Sequence, residues 1–75
     1  MINEICKLHS NLTSDNRLLL KMVRYDYEIS IFKEDILKKV GNNTLKIINP
    51  ERRSNPCIVN TDYIMVVFVS RRDLL

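Results

Sequence analysis

Cys6 and His9 are the one pair of side chains in this chain whose types and spacing suggest bond-making chemistry. Three residues apart on a helix, a thiol and an imidazole share roughly one face. A histidine in that position can act as base to a cysteine nucleophile. The pair has no evident third residue to orient the imidazole, and the helix that would carry it is short. The expectation is therefore that Cys6 belongs to the core and His9 to its edge, and that the protein is not an enzyme.

The remaining chemistry-bearing types give the same result. Phosphate loops need several glycines for close backbone approach, and Gly41 is the only glycine. Glu34 and Asp35 are adjacent, so on a helix they point apart and read as acids of a first turn. Cys6, Cys57 and His9 supply at most three strong zinc ligands, short of a structural set without a carboxylate. No cofactor or metal is expected. Two cysteines in apolar surroundings read as reduced core residues of a cytoplasmic protein, because small secreted domains usually carry several disulfides.

Basic residues come in pairs: Lys38 and Lys39, Arg52 and Arg53, Arg71 and Arg72. They are the candidate nucleic-acid contacts of a chain with 12 Lys and Arg against 9 Asp and Glu, a net charge of +3 and a pI of about 9.1. Asp35, Glu51 and Asp73 flank these pairs and soften the positive field. Tyr25, Tyr27 and Tyr63 could stack on bases, but tyrosines on half-buried strands more commonly pack a ring and leave the hydroxyl in water.

The chain has 75 residues, enough for one small domain (1–75) with one modest core. Its 45% hydrophobic content and low net charge argue against disorder. Nine isoleucines and eight asparagines, with no alanine, point to an AT-rich genome such as that of a low-GC bacterium, a phage or another virus. The start of the chain lacks the basic segment and apolar run of a signal peptide. The longest apolar run, Tyr63 to Val69, is too short to cross a bilayer.

Periodicity assigns the elements. Residues 2–11 read as a short helix through Ile2, Ile5, Leu8 and Leu12. Arg17–Arg24 reads as a second helix capped by Thr13 or Ser14, although Leu18, Leu20 and Met22 also alternate as in a strand. Tyr27, Ile29 and Ile31 mark a short strand. Residues 31–40 carry every local sign of a helix: Ser30 as cap, Phe32, Ile36, Leu37 and Val40 on one face, acids first, lysines last and Gly41 beyond. Residues 44–49 read as a strand, Pro50–Pro56 as a polar loop, and 57–70 as strand broken near Asn60–Asp62. Ile64–Val69 is apolar on both faces and predicts a central, covered strand. The tail 71–75 reads as frayed. The fold class is α+β, with two or three short helices packed on a small antiparallel sheet that ends in a C-terminal hairpin.

Within that last region, Ile58-Val59-Asn60-Thr61-Asp62-Tyr63-Ile64-Met65-Val66-Val67-Phe68-Val69-Ser70 resembles the last two strands of Sm-like RNA-binding proteins of the bacterial Hfq type. The sequence departs from that family in two places. The family's preceding, glycine-bearing strand falls on the helix expected at 31–40, and Asn60 and Asp62 stand where the bend should be basic and aromatic. No function is transferred from the resemblance.

The functional expectation is a non-enzymatic binding protein. The first reading is a viral, phage or mobile-element accessory protein in the host cytoplasm that inhibits or modulates a host protein by covering its surface. The alternative is a small winged-helix-like DNA- or RNA-binding regulator that uses Arg52 and Arg53 in a hairpin loop. A homodimer burying Ile64–Val69 fits either reading.

Overall fold

The computed structural model describes residues 1–23, 27–51 and 56–73. Among these residues there are one helix and six strands in two antiparallel sheets, so the described part is mostly β. Helix α1 covers Ile2–Ser10 and buries Ile2 and Ile5. Strands β1 (Asn16–Met22), β2 (Glu28–Ile31) and β6 (Ile64–Arg71) form the first sheet in the order β2-β1-β6. Strands β3 (Ile36–Lys39), β4 (Thr44–Ile48) and β5 (Cys57–Asn60) form the second in the order β3-β4-β5.

The strand expected through Tyr27, Ile29 and Ile31 is β2, and that expected at 44–49 is β4. The strand expected at 57–70 breaks where its sequence indicates, into β5, a single 3-10 turn at Thr61–Tyr63, and β6, but the two strands join different sheets, so the expected C-terminal hairpin does not form. Two expected helices are absent among the described residues, Arg24 at the end of one lying outside them. The segment 17–24 is β1 through Met22, because Leu18 and Leu20 place their side chains on the core face of a central strand and are fully buried there. That burial outweighs the weak helix preference of leucine, lysine and methionine.

The segment 31–40 is likewise not a helix. Phe32 and Asp35 close a tight turn, with the Asp35 amide donating to the Phe32 carbonyl at 3.0 Å. The Phe32 amide in turn donates to the Asp35 carboxylate at 2.8 Å. Ile36–Lys39 then pairs with β4 from Ile36↔Ile48 to Lys39↔Leu45. Gly41 lies in the loop that returns the chain into β4, closed by the Val40 amide donating to the Thr44 carbonyl at 3.1 Å.

The core lies between the sheets under α1. Ile5, Leu18, Leu20, Ile31 and Leu45 have no exposed surface, and Ile2, Leu12, Ile47, Val59 and Ile64 complete the cluster. Cys6 and Cys57 are free thiols, partly buried and packed against it. No helix among the described residues is long and apolar enough to cross a membrane.

Two substitutions test this assignment. Leu20→Ala should cost about 2–5 kcal/mol in urea unfolding, as expected for a leucine removed from a closed core. An alanine Cβ at Gly41 would meet only the Thr44 side chain at 3.7 Å, an ordinary contact. Gly41→Ala should therefore leave stability unchanged or raise it by up to about 1 kcal/mol, whereas a helix-terminating left-handed glycine would lose stability on the same change.

Candidate interaction surface

Both edges of each sheet differ in how they are protected. Edge strands expose unpaired amides and carbonyls, and proteins usually blunt them with charge or shortness. β2 has only four residues, and its Glu28 is ion-paired to Lys21 at 3.7 Å. β3 carries Lys38 and Lys39. β5 and β6 lack charge, since neither Cys57–Asn60 nor Ile64–Ser70 contains a charged residue, and β6 is not short either.

β6 is the longest strand, and its single partner is β1, from Asn16↔Arg71 to Met22↔Ile64. Alternation places Val66 and Phe68 on the outer face and Val67 and Val69 toward the core. Yet Val66, Phe68 and Val69 are all exposed, Val69 at 46%, as is Met65 at 60%. Covered strands are apolar on both faces because both faces are dry; here the pattern is present without the cover. The expectation of a central strand is therefore corrected: β6 sits at an edge, with apolar side chains left open on both faces. A register shift opposite Lys21 and Met22 places Met65 beside a recess of about 300 Å³, which it lines with Lys21, Met22, Tyr27 and Glu28.

The bend before β6 is held firmly. The Thr61 amide and hydroxyl donate to the Asn43 carbonyl at 2.7 and 3.0 Å. Asn43 Nδ2 donates to Asp62 at 3.0 Å, and the Asn60 side chain accepts from the Asp62 amide at 2.9 Å. The Val23 amide donates to the Tyr63 carbonyl at 2.7 Å. Asn60 and Asp62, which depart from the Hfq-type pattern, thus close the bend itself.

Four of the six expected nucleic-acid contacts lie among the described residues: Lys38 and Lys39 on β3, Arg71 at the end of β6 and Arg72 just beyond it. Arg52 and Arg53 lie outside the described residues. Arg72 is half-buried; its guanidinium grips the Glu34 carboxylate with both terminal nitrogens and stacks over the Phe32 ring, 4.3 Å from its centroid. Arg71 pairs with Asp73 at 3.5 Å, beside an open recess lined with Ser14 and Asp15. Lys39 donates to Asn3 on α1 at 3.2 Å. Lys38 is exposed and has no bonding partner among the described residues.

Lys46 is a basic residue that the sequence pattern does not single out. It stands directly opposite Lys38 across β3 and β4, with exposed Ile58 on its other side. Like charges placed directly opposite each other destabilise a sheet. Only the strand register reveals this pair, eight residues apart in sequence.

The Cys6 and His9 pair does not assemble. His9 Nε2 donates to the Phe32 carbonyl at 3.0 Å, and no hydrogen bond joins it to Cys6. Burial pushes the Cys57 thiol above its ordinary pKa, which disfavours the reactive thiolate. Among the described residues no three histidine, cysteine or carboxylate groups come together as metal ligands.

The chain matches no protein-family model, no curated protein and no solved structure.

The Arg72 hydrogen bond, largest among the causes, holds the Glu34 carboxyl below its ordinary value, and Glu34 in turn raises Arg72. A depressed carboxyl adds stability above its unfolded pKa and loses it as pH falls through the folded pKa. The melting temperature should therefore drop as acid is added below the usual carboxylate range. Glu34→Gln should melt lower at neutral pH and show a shallower acid dependence; parallel melting curves for the two proteins would exclude this linkage.

Proposed function

We propose that the protein is a non-enzymatic binding module that works by strand addition at its two bare edges, that copies assemble head to tail through β5 and β6, and that the assembly binds single-stranded RNA. The observation that carries this reading is β6: eight residues long, paired on one side, uncharged through Ser70, and exposing apolar side chains on both faces. A sheet edge of that kind is a template for a further strand.

The second copy is the favoured occupant because the chain offers a complementary edge. β5, though only four residues long, is likewise an uncharged edge, and its Ile58 is among the most exposed apolar residues. Pairing β6 of one copy with β5 of the next is a heterologous contact, and repeated with rotation it closes into a ring.

The resemblance of residues 58–70 to Hfq-type Sm-like proteins carries no function by sequence alone, and it is the arrangement of strands that adds to it a reason to consider RNA. One departure from that family narrows, since residues 36–39 are strand rather than the expected helix, although that strand carries no glycine. The net charge of +3 supports a polyanionic partner. A winged-helix mode has less support, because the segment that would supply its recognition helix is β1 or β3.

The second reading is capture of a host protein's strand by the same β6 edge, which would make the chain an inhibitor or modulator of that protein. The open apolar faces of β6 favour it equally; the matching edge on β5 does not.

Light scattering coupled to size-exclusion chromatography separates these readings. The wild-type chain should run as a multimer of one defined mass. Ile58→Lys and Val66→Lys should each run as monomers, since each spoils one edge. Mixed in equal amounts, they should form a complex of two copies, because one good β6 meets one good β5. If Val66→Lys alone dissociates the assembly, β6 pairs with itself and the head-to-tail arrangement is wrong. A wild-type monomer that retains a single host protein after nuclease treatment would favour the inhibitor.

A further inference from the structure

We infer that Lys38 and Lys46 together form a phosphate-gripping subsite for single-stranded nucleic acid on the outer face of the second sheet, an inference that rests on the RNA reading above. The two residues are directly opposed in the β3–β4 register. Neighbouring strands run about 4.8 Å apart, so two ammonium groups rising from opposed positions can close on one phosphate. Neither has a hydrogen-bond or ion-pair partner among the described residues. The other basic side chains on the two sheets are engaged, Lys21 with Glu28, Lys39 with Asn3, Arg17 with Ser30 and Arg71 with Asp73, as is Arg72 just beyond β6 with Glu34. A repelling, unpaired couple on a sheet face is a cost that an anion between the two charges would cancel.

The surroundings select the kind of anion. On the same face, Ile36 pairs with Ile48 on one side of the lysines, and Ile58 adjoins Lys46 on the other. Ile36 and Ile58 are both exposed. A charged centre between apolar flanks suits a chain that alternates phosphate with flat base faces. Ile58 also lies on the edge where a second copy would pair, so assembly would extend this face from one copy to the next.

The test is a charge reversal that separates fold from binding. Lys38→Glu replaces the repulsion with a cross-strand ion pair, so its melting temperature should rise. The same change engages Lys46 and should weaken binding of fluorescent oligouridylate and oligoadenylate. The slope of log affinity against log salt should fall by about 0.7 for each phosphate that the protein ceases to neutralise. Lys7→Glu makes the same change in net charge on α1 and should alter the slope less. Single-stranded RNA and DNA of equal length distinguish the two sources of phosphate, and poly-glutamate tests a plain acidic chain. If both variants weaken binding equally, the subsite is overturned and the RNA reading stands. If the wild-type assembly binds no nucleic acid, both fall. Tighter binding of poly-glutamate than of either nucleic acid would overturn the choice of ligand.

Discussion

The turn from Phe32 to Asp35 determines where the sheets divide. Asp35 is a buried carboxylate with two donors, the Phe32 amide at 2.8 Å and Asn49 Nδ2 at 2.9 Å. A carboxylate out of water is tolerated only when its oxygens are satisfied, so the corner is committed to this geometry. Other parts of the chain converge on it. His9 reaches the Phe32 carbonyl from α1, and Arg72 holds both Glu34 and the Phe32 ring from the end of β6. The first helix, the end of β4 and the last strand are thereby fixed to one short turn.

That corner has a consequence at the far side of the molecule. By passing the chain from β2 into β3, it splits six strands into two sheets of three, and each sheet keeps two edges. The 3-10 turn at Thr61–Tyr63 does the same between β5 and β6, and its bonds to Asn43 and Val23 keep those strands from sharing a ladder. The core is closed by α1 and the inner faces, while β5 and β6 remain bare. The apolar exposure of β6 thus arises from the same two turns that build the core.

Much of this is legible in the residues. Ile2, Ile5 and Leu8 mark α1, and the break between β5 and β6 falls at Asn60–Asp62, where polar residues interrupt an apolar run. The alternation of Leu18, Leu20 and Met22 is visible too, but helix propensity competes with it in the same stretch. Residues 31–40 show why local signals fail. Glu34 and Asp35 look like first-turn acids, but their partners are Arg72 and Asn49, distant in sequence. Gly41 looks like a helix terminator and instead serves a hairpin loop. β6 misleads for a different reason: a strand covered by its own chain and one awaiting cover from another chain have the same composition. The opposition of Lys38 and Lys46 depends on register, which no local window contains.

The account requires that β6 be incomplete in a single copy and completed by another strand. Amide hydrogen exchange across a concentration series measures that directly. Protection of β5 and β6 amides should rise together as the protein is concentrated, while β1 and β4 amides, already paired on both sides, stay constant. Fast exchange along β6 at every concentration, in a chain that remains folded, would contradict it.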